Sequence, residues 1–291
     1  MSELRINNIT DRVGSSGPII AGVSTVTSTS HMVMPSGPTE FRGGRGRAIF
    51  NGGYEAPSNT SEIQTVEIAT LGNATNFGDL STARQDGASL ANSIRGISAG
   101  GNPSQQSVIE YIIMSSGGGA NDFGDLTEAQ QTDGSFSSPT RGFWVGGADG
   151  PGPDYQASTT GTKIECVTST TLGNAFDFGD LINGTYGKVG ASNSIRGLAA
   201  GGYGSPANIL AIEFLTMATL GDATNFGDMT NAHYYGAGTS DTTRAIFGGG
   251  NGTTDIIEYV QIATQGDSVD FGDLTSAREH GRAASNANGG L

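Results

Sequence analysis

One cysteine, one tryptophan, three histidines and two lysines are spread over 291 residues, and each scarcity excludes something. The lone Cys166 permits no intrachain disulfide. With only Lys163 and Lys188 as lysines and a net charge of −14, the chain is a poor match for nucleic acid, because affinity for that polymer comes mostly from Lys and Arg neutralising phosphates. Charged residues make up only 14%, so charge-driven disorder does not fit. No run of about 18 apolar residues occurs, so no membrane insertion is expected. The opening MSELRINNITDR lacks the basic start and apolar stretch of a signal peptide, and the protein is expected to be soluble and not routed for export. Around His31, His233 and His280 there is no Ser-His-Asp set, no pair of catalytic carboxylates and no metal-spaced cluster. No enzyme activity, catalytic residue, metal or cofactor is expected.

What the chain has in excess is glycine, 48 of 291, without the period of three that collagen requires. Its charge is uneven. Residues 1–47 hold five arginines against Glu3, Asp11 and Glu40, a net +2, which leaves −16 for the rest. That break divides the chain into an arm, residues 1–46, and a body, residues 47–291.

The body repeats. FGD begins at Phe77, Phe123, Phe178, Phe226 and Phe271, and sixteen residues after the first four aspartates stand Arg95, Arg141, Arg196 and Arg244. These arginines, and Arg47 before them, open R-x-[ILF]-x-x-G-G strings: RAIFNGG, RGISAGG, RGFWVGG, RGLAAGG and RAIFGGG. Thirteen residues before each FGD phenylalanine stands Gln64, Glu110, Glu165, Glu213 or Glu258, inside alternating strings such as AIEFLTM that read as strands. Polar turns follow, LGNATN, LGNAFD, LGDATN and QGDSVD, rich in residues that tolerate left-handed backbone. Only the stretch between the Gly pair and the Glu position varies in length, with 10, 8, 17, 10 and 7 residues.

A unit of this size with about four short strands, no helical period and a Gly pair after an apolar strand predicts a β-propeller blade. The fold class is therefore all-β, a five-bladed propeller with an extended N-terminal β arm. The order of apolar strand, Gly-Gly, loop, polar-centred strand, turn, aromatic, Leu and Arg resembles the kelch repeat. FGDLSTAR, ending at Arg84, and FGDLTSAR, ending at Arg278, resemble its closing segment; Gln130, Thr185 and His233 stand at the same position in the other units. Residues 281–286, GRAASN, align with the strand preceding each Arg-opened strand, while the first unit lacks that strand. A C-terminal strand completing the first blade would remove both sheet edges.

The arm does not share the repeat. GVSTVTSTSHMVM alternates as a strand does, between GSSGP and PSGPT turns, and has too little apolar surface to fold alone. Its expected fate is to pair with another chain. The arm's INNITDR, SGPIIAGVSTV and PSGPTEFRGG strings, followed by these repeats, are similar to virion structural and tail-fibre-like proteins of tailed phages that infect marine cyanobacteria. The resemblance covers nearly the whole chain. It implies a non-enzymatic virion component on the phage tail or particle surface, docking on other virion proteins through residues 1–46, forming homo-oligomers, and presenting the propeller for host attachment. The other reading is a secreted or surface lectin-like propeller that binds glycans.

The Gly-Gly strings lead into another strand and not into a helix, so close backbone packing is expected in place of phosphate binding. For the FGD aspartates a turn or capping role is favoured over calcium binding. The recurring arginines are placed to pair with the recurring Asp or Glu between blades. Cys166 and Trp144 sit in registers that read as core. Alternation puts the variable loops and the connections between blades on one face of the ring, where function is expected to concentrate. Candidate binding residues there are Tyr54, Asp149, Asp154, Tyr155 and Tyr203, three of them in the insertion at residues 148–162. A host cell-surface glycan or protein is the expected ligand.

Overall fold

Strings that alternate small or polar with apolar residues, separated by Gly, Asn and Asp, become antiparallel strands. The computed structural model describes residues 19–20, 24–25, 47–67, 71–92, 94–103, 106–132, 134–148, 159–204, 207–250, 254–278 and 283. The chain divides into two units, Met1–Thr39 and Glu40–Leu291. In the first, β1 (Ile19–Ile20) and β2 (Ser24–Thr25) pair antiparallel, Ile19 opposite Thr25. The rest of the expected arm lies outside the described residues.

The second unit is a five-bladed β-propeller. The first blade holds β3 (Arg47–Asn51), with a small hairpin of β4 (Tyr54–Glu55) and β5 (Ser58–Asn59), then β6 (Glu62–Glu67) and β7 (Thr75–Asp79). The second runs β8 (Ala88–Ala91), β9 (Arg95–Ala99), β10 (Gln106–Ile113) and β11 (Asn121–Gln130). The third runs β12 (Gly134–Ser137), β13 (Arg141–Val145), β14 (Lys163–Thr168) and β15 (Phe176–Asp180), with a 3-10 turn at Thr159–Thr162 before β14. The fourth runs β16 (Val189–Ser192), β17 (Arg196–Ala200), β20 (Ala211–Thr216) and β21 (Thr224–Asp228), with β18 (Tyr203–Gly204) and β19 (Ala207–Asn208) as a hairpin in its loop. The fifth runs β22 (Ala237–Ser240), β23 (Arg244–Gly248), β24 (Ile256–Gln261) and β25 (Val269–Asp273). Each four-stranded sheet is a meander from the ring axis outward.

The cores lie between blades. Ile63, Phe77 and Leu80 of the first blade pack with Ile112 of the second; Trp144 and Val167 of the third enter the second blade's core; Phe247 of the fifth enters the fourth's. A register shift in every blade puts a β-bulge at the FGD phenylalanine: Ile164 pairs with Gly179 and Glu165 with Asp177, so Phe178 stands between two partners. The bulge aims the ring out of its own sheet and into the next blade, an expected effect of an extra residue on one strand. Trp144 is wholly buried and its indole N–H donates to Ala88 O at 3.1 Å, and Cys166 is wholly buried as well, so both are core residues as read from the sequence.

Neighbouring blades are also joined by backbone. Gly221 N donates to Phe178 O at 3.0 Å and Ala223 N to Asp180 O at 2.8 Å, and the pattern recurs at the junctions before and after. The turn of one blade thus continues the outer strand of the blade before it. A Cβ on Gly179 would lie 2.4 Å from Gly221 O, so the glycine of FGD and the glycine of the following turn meet where no side chain fits. At the axis, small residues let the inner strands converge. Ser135 Oγ donates to Ser89 O, Ser192 Oγ to Ser137 O and Ser240 Oγ to Ser192 O, at 2.9, 3.0 and 2.7 Å.

The junction between the fifth and first blades is built differently. Phe271 is 51% exposed where the other four FGD phenylalanines are buried, and neither Gly272 nor Gly72 has a neighbour in contact range of a Cβ. Residues 281–286, expected to complete the first blade, lie outside the described residues except Ala283, which lines a cavity with Ala48 and Phe50 of the first blade and Ala237 of the fifth.

Both glycines have positive φ, 149° at Gly179 and 137° at Gly272, so alanine pays a backbone cost at either, but only Gly179 adds a collision. Gly179→Ala is expected to destabilise the chain more than Gly272→Ala, by about 1–3 kcal/mol on the scale of an overpacked core. Equal losses in urea unfolding would show that the junction does not depend on this contact.

Candidate functional site

The loops after Gly-Gly and the connections between blades share one face of the ring. Isolated bridges pair Gln85 with Asn102, Gln131 with Ala148 and Tyr186 with Tyr203, each joining a connection to a loop. Asn59 Nδ2 donates to Asn102 O at 3.0 Å and ties the first blade's loop to the second's.

On this face four tyrosines meet. Ring centroids are 5.3 Å apart for Tyr186 and Tyr203, 6.0 Å for Tyr186 and Tyr234, 5.9 Å for Tyr203 and Tyr234, and 4.8 Å for Tyr234 and Tyr235. These separations are those of interacting aromatic pairs. Tyr235 has φ +54°, a left-handed backbone that costs a non-glycine residue of order 1–3 kcal/mol. Its N–H donates to Gly187 O at 3.0 Å, which fixes the connection between the fourth and fifth blades against the one before it.

Of the residues singled out in the sequence, Tyr203 is a member of this cluster. Tyr54, 63% exposed on the first blade's hairpin, is on the same kind of loop but in a blade not adjacent to the fourth. Asp149, Asp154 and Tyr155 lie outside the described residues. Sequence reasoning passed over Tyr186, Tyr234 and Tyr235, although a signal was present. Tyr186 and Tyr234 share a register, directly after Thr185 and His233 at the closing position of consecutive units.

Beneath the face, the recurring glutamates hold the connections down. Glu110 accepts from Ser81 N at 2.8 Å, Glu165 from Thr127 N at 3.1 Å and Thr127 Oγ1 at 2.5 Å, Glu213 from Ile182 N at 2.9 Å, and Glu258 from Thr230 N at 3.0 Å. Each carboxylate thus reaches back to the segment after FGD in the preceding blade. Three have a cationic or imidazole partner from that blade. Arg84 Nη2 lies 2.7 Å from Glu110 Oε2, without hydrogen-bond alignment; Lys188 Nζ is 3.5 Å from Glu213; His233 Nε2 is 2.9 Å from Glu258. His233 Nδ1 also faces Gly249 O, so both ring nitrogens lie beside oxygen acceptors. Burial lowers the Arg84 and Lys188 pKa values, with Glu110 and Glu213 opposing it. Burial also raises Glu258, but the His233 contact and the Thr230 and Asn231 N–H donors outweigh it and leave that carboxyl below its usual range.

Glu165 is the exception. Gln130 occupies the register of Arg84 and His233, and burial holds the Glu165 carboxyl above its ordinary value despite the bonds from Thr127. Glu165 Oε2 and Gln130 Oε1 are both buried without a partner.

The recurring arginines do not form the expected pairs with the recurring Asp or Glu. Arg47, Arg95, Arg141 and Arg196 donate to carbonyls of the following blade, at Met114, Ser169, Met217 and Ile262, over 2.7–3.1 Å. Arg95, Arg196 and Arg244 lie 4.8–4.9 Å from the centroids of Tyr111, Phe214 and Tyr259 in their own blades. A planar guanidinium can stack and donate at once, and Arg47 adds an ion pair with Glu67 of its own blade at 3.0 Å. The FGD aspartates take turn roles, Asp79 accepting from Ser61 Oγ, Asp125 from Ser107 Oγ and Asp180 from Thr162 Oγ1, at 3.3, 3.1 and 3.1 Å.

Burial pushes the Cys166 thiol up to about 12, so it is not poised as a nucleophile. Among the described residues no group of three or more His, Cys, Asp or Glu is arranged to hold a metal ion, and no helix is long and apolar enough to cross a membrane. The ionisable groups lock blade to blade, and the face above them offers aromatic rings, hydroxyls and amides. Such groups can stack and hydrogen-bond. Comparison with protein-family models and with curated proteins finds no match.

The two glutamates have opposite expected signs. Glu165, raised on folding, contributes stability below the ordinary glutamate pKa and loses it as pH rises through the folded value. Glu165→Gln should therefore gain about 1 kcal/mol at pH 7, with the gain shrinking toward pH 4. Glu258, lowered on folding, contributes above the ordinary value and loses it as pH falls through the folded one. Glu258→Gln should cost about 2 kcal/mol at pH 7 and less in acid. Urea unfolding at both pH values checks this; two losses at pH 7 would refute the assignment of Glu165.

Proposed function

We propose that this chain is a non-enzymatic virion structural protein whose N-terminal arm docks on other virion proteins and whose propeller presents a host-binding face. The observation that carries the binding half is the four-tyrosine cluster of Tyr186, Tyr203, Tyr234 and Tyr235, set on a rigid ring with one loop of variable length per blade. Rigid frames that carry variable loops are where binding function collects. The arm's own composition and its break in charge from the body support the docking half, as does the resemblance to tail-fibre-like proteins of cyanobacterial phages. The same cluster would serve a free lectin-like propeller, so presence on the particle separates the two readings.

Mass spectrometry and electron cryo-microscopy of purified particles should find the chain in several copies, with the arm at the particle and the propeller outward. Particles carrying a chain that lacks residues 1–46 should lose it, and Tyr203→Ala together with Tyr234→Ala should cut adsorption of the full-length chain to host cells at least tenfold. Incorporation without the arm would refute docking, and adsorption unchanged by the tyrosine substitutions would refute the binding face.

A further inference from the structure

In every blade the Arg-opened strand runs toward the loop face and ends at Gly-Gly. In the second to fifth blades an inner strand stands between it and the axis. In the first blade, among the described residues, β3 lines the axis itself. Phe50 shows the consequence. Its register mates Trp144 and Phe247 are wholly buried against the preceding blade, whereas Phe50 is 59% exposed. It borders a cavity of about 560 Å³, within the range of small-molecule sites.

The lining comes from the loop-face ends of the strands: Phe50 and Asn51 of β3, Ser89 and Ser135 of the second and third blades, and Lys188 and Tyr235 of the connections. In a chain with 28 acidic residues, no Asp or Glu is among the described residues that line this cavity. The one charged group among the described lining residues, Lys188, is already matched by buried Glu213 at 3.5 Å and by Gly201 O at 3.3 Å. A charged ligand would enter without a counter-charge, at a high desolvation cost. Uncharged polar groups are available. Asn51 Oδ1 accepts from Ser89 Oγ at 3.2 Å, which leaves the Asn51 amide N–H groups as donors. Ser135 Oγ donates to Ser89 O at 2.9 Å and keeps its lone pairs. Tyr235, in its left-handed conformation, joins this cavity to the tyrosine cluster. Strain held at a cavity wall is a feature of ligand sites.

An aromatic face beside neutral donors and acceptors suits a ring that is apolar on one side and hydroxylated at its edge. We propose that the axial cavity binds a neutral pyranose, stacked on Phe50 and hydrogen-bonded through Asn51 and the serine hydroxyls, with Tyr235 at its mouth. The inference rests on the loop face being a binding face, and it names the ligand class: the cavity takes one sugar of a neutral glycan while Tyr203 and Tyr234 carry the remainder.

Saturation-transfer NMR on the full-length chain, with the methyl pyranosides of mannose, glucose and galactose and with glucuronate as the charged probe, tests it. At least one neutral pyranoside should receive saturation and glucuronate should receive none. Phe50→Ala and, independently, Asn51→Ala should each weaken the neutral pyranoside at least tenfold by titration, with thermal unfolding unchanged. Absence of any neutral signal, stronger binding of glucuronate, or full affinity in both cavity variants would overturn the proposal. If host cells still adsorb a chain that binds no pyranoside, the cavity assignment fails and the binding face stands; if pyranoside binds and cells do not adsorb, the binding face fails.

Discussion

A backbone contact too close to admit a side chain joins each of the first four blades to the next. The outer strand of one blade receives two N–H donors from the turn of its neighbour, and a glycine on each side makes the approach possible. Each such bond adds only about 0.5–1.5 kcal/mol net. Their larger effect is geometric. They set the angle at which the bulged phenylalanine and the aliphatic residues of adjacent sheets can form one core, so burial between blades follows from the glycine contact. The recurrence of FGD and of the Gly-containing turn is therefore one constraint written twice, once for each partner.

The buried glutamates act on the same junction from the loop side. A carboxylate with two or three donors is an effective anchor for the segment between blades, but its desolvation offsets much of the gain. Glu110, Glu213 and Glu258 face Arg84, Lys188 and His233, whereas the preceding blade offers Glu165 only Gln130 at the register of Arg84, so the anchor recurs while the compensating charge does not. This favours a role in fixing the connections over a role in raising stability. The arginines that open the neighbouring strands work differently, by stacking within a blade and donating to carbonyls of the next; Arg47 among them also pairs with an acid, Glu67 of its own blade.

Strand order, blade number and the sharing of a face by loops and connections were legible in the repeat, because each depends on spacing along one chain. The bulge at FGD was not, since a strand with one extra residue reads like any other until its partner is seen. Pairings between repeats were legible only in kind. Arg and Glu recur at fixed offsets, and their attraction is an obvious expectation, yet strand direction places them at opposite ends of the blade and gives each a different partner. Tyr203 could be found because it follows Gly-Gly; Tyr186, Tyr234 and Tyr235 lie in connections of nearly constant length, where variation in length gave no prompt. What brings them together is the closeness of consecutive connections at the axis, a property of the ring and not of one repeat.

Symmetry and function pull against each other in such a ring. In the second to fifth blades, inner strands rich in Gly, Ala and Ser stand nearest the axis, and Trp144 and Phe247 of the Arg-opened strands disappear into the preceding blade. Where the first blade departs from this pattern, β3 faces the axis, Phe50 stays accessible and a cavity remains beside it. Among the described residues of this junction, Phe271 is partly exposed and Gln64 stands where the other blades have a buried glutamate. A ring with five identical junctions would be better sealed and would have no room at its centre. Among the described residues, the space proposed for a ligand adjoins the junction where the repeat is least closely followed.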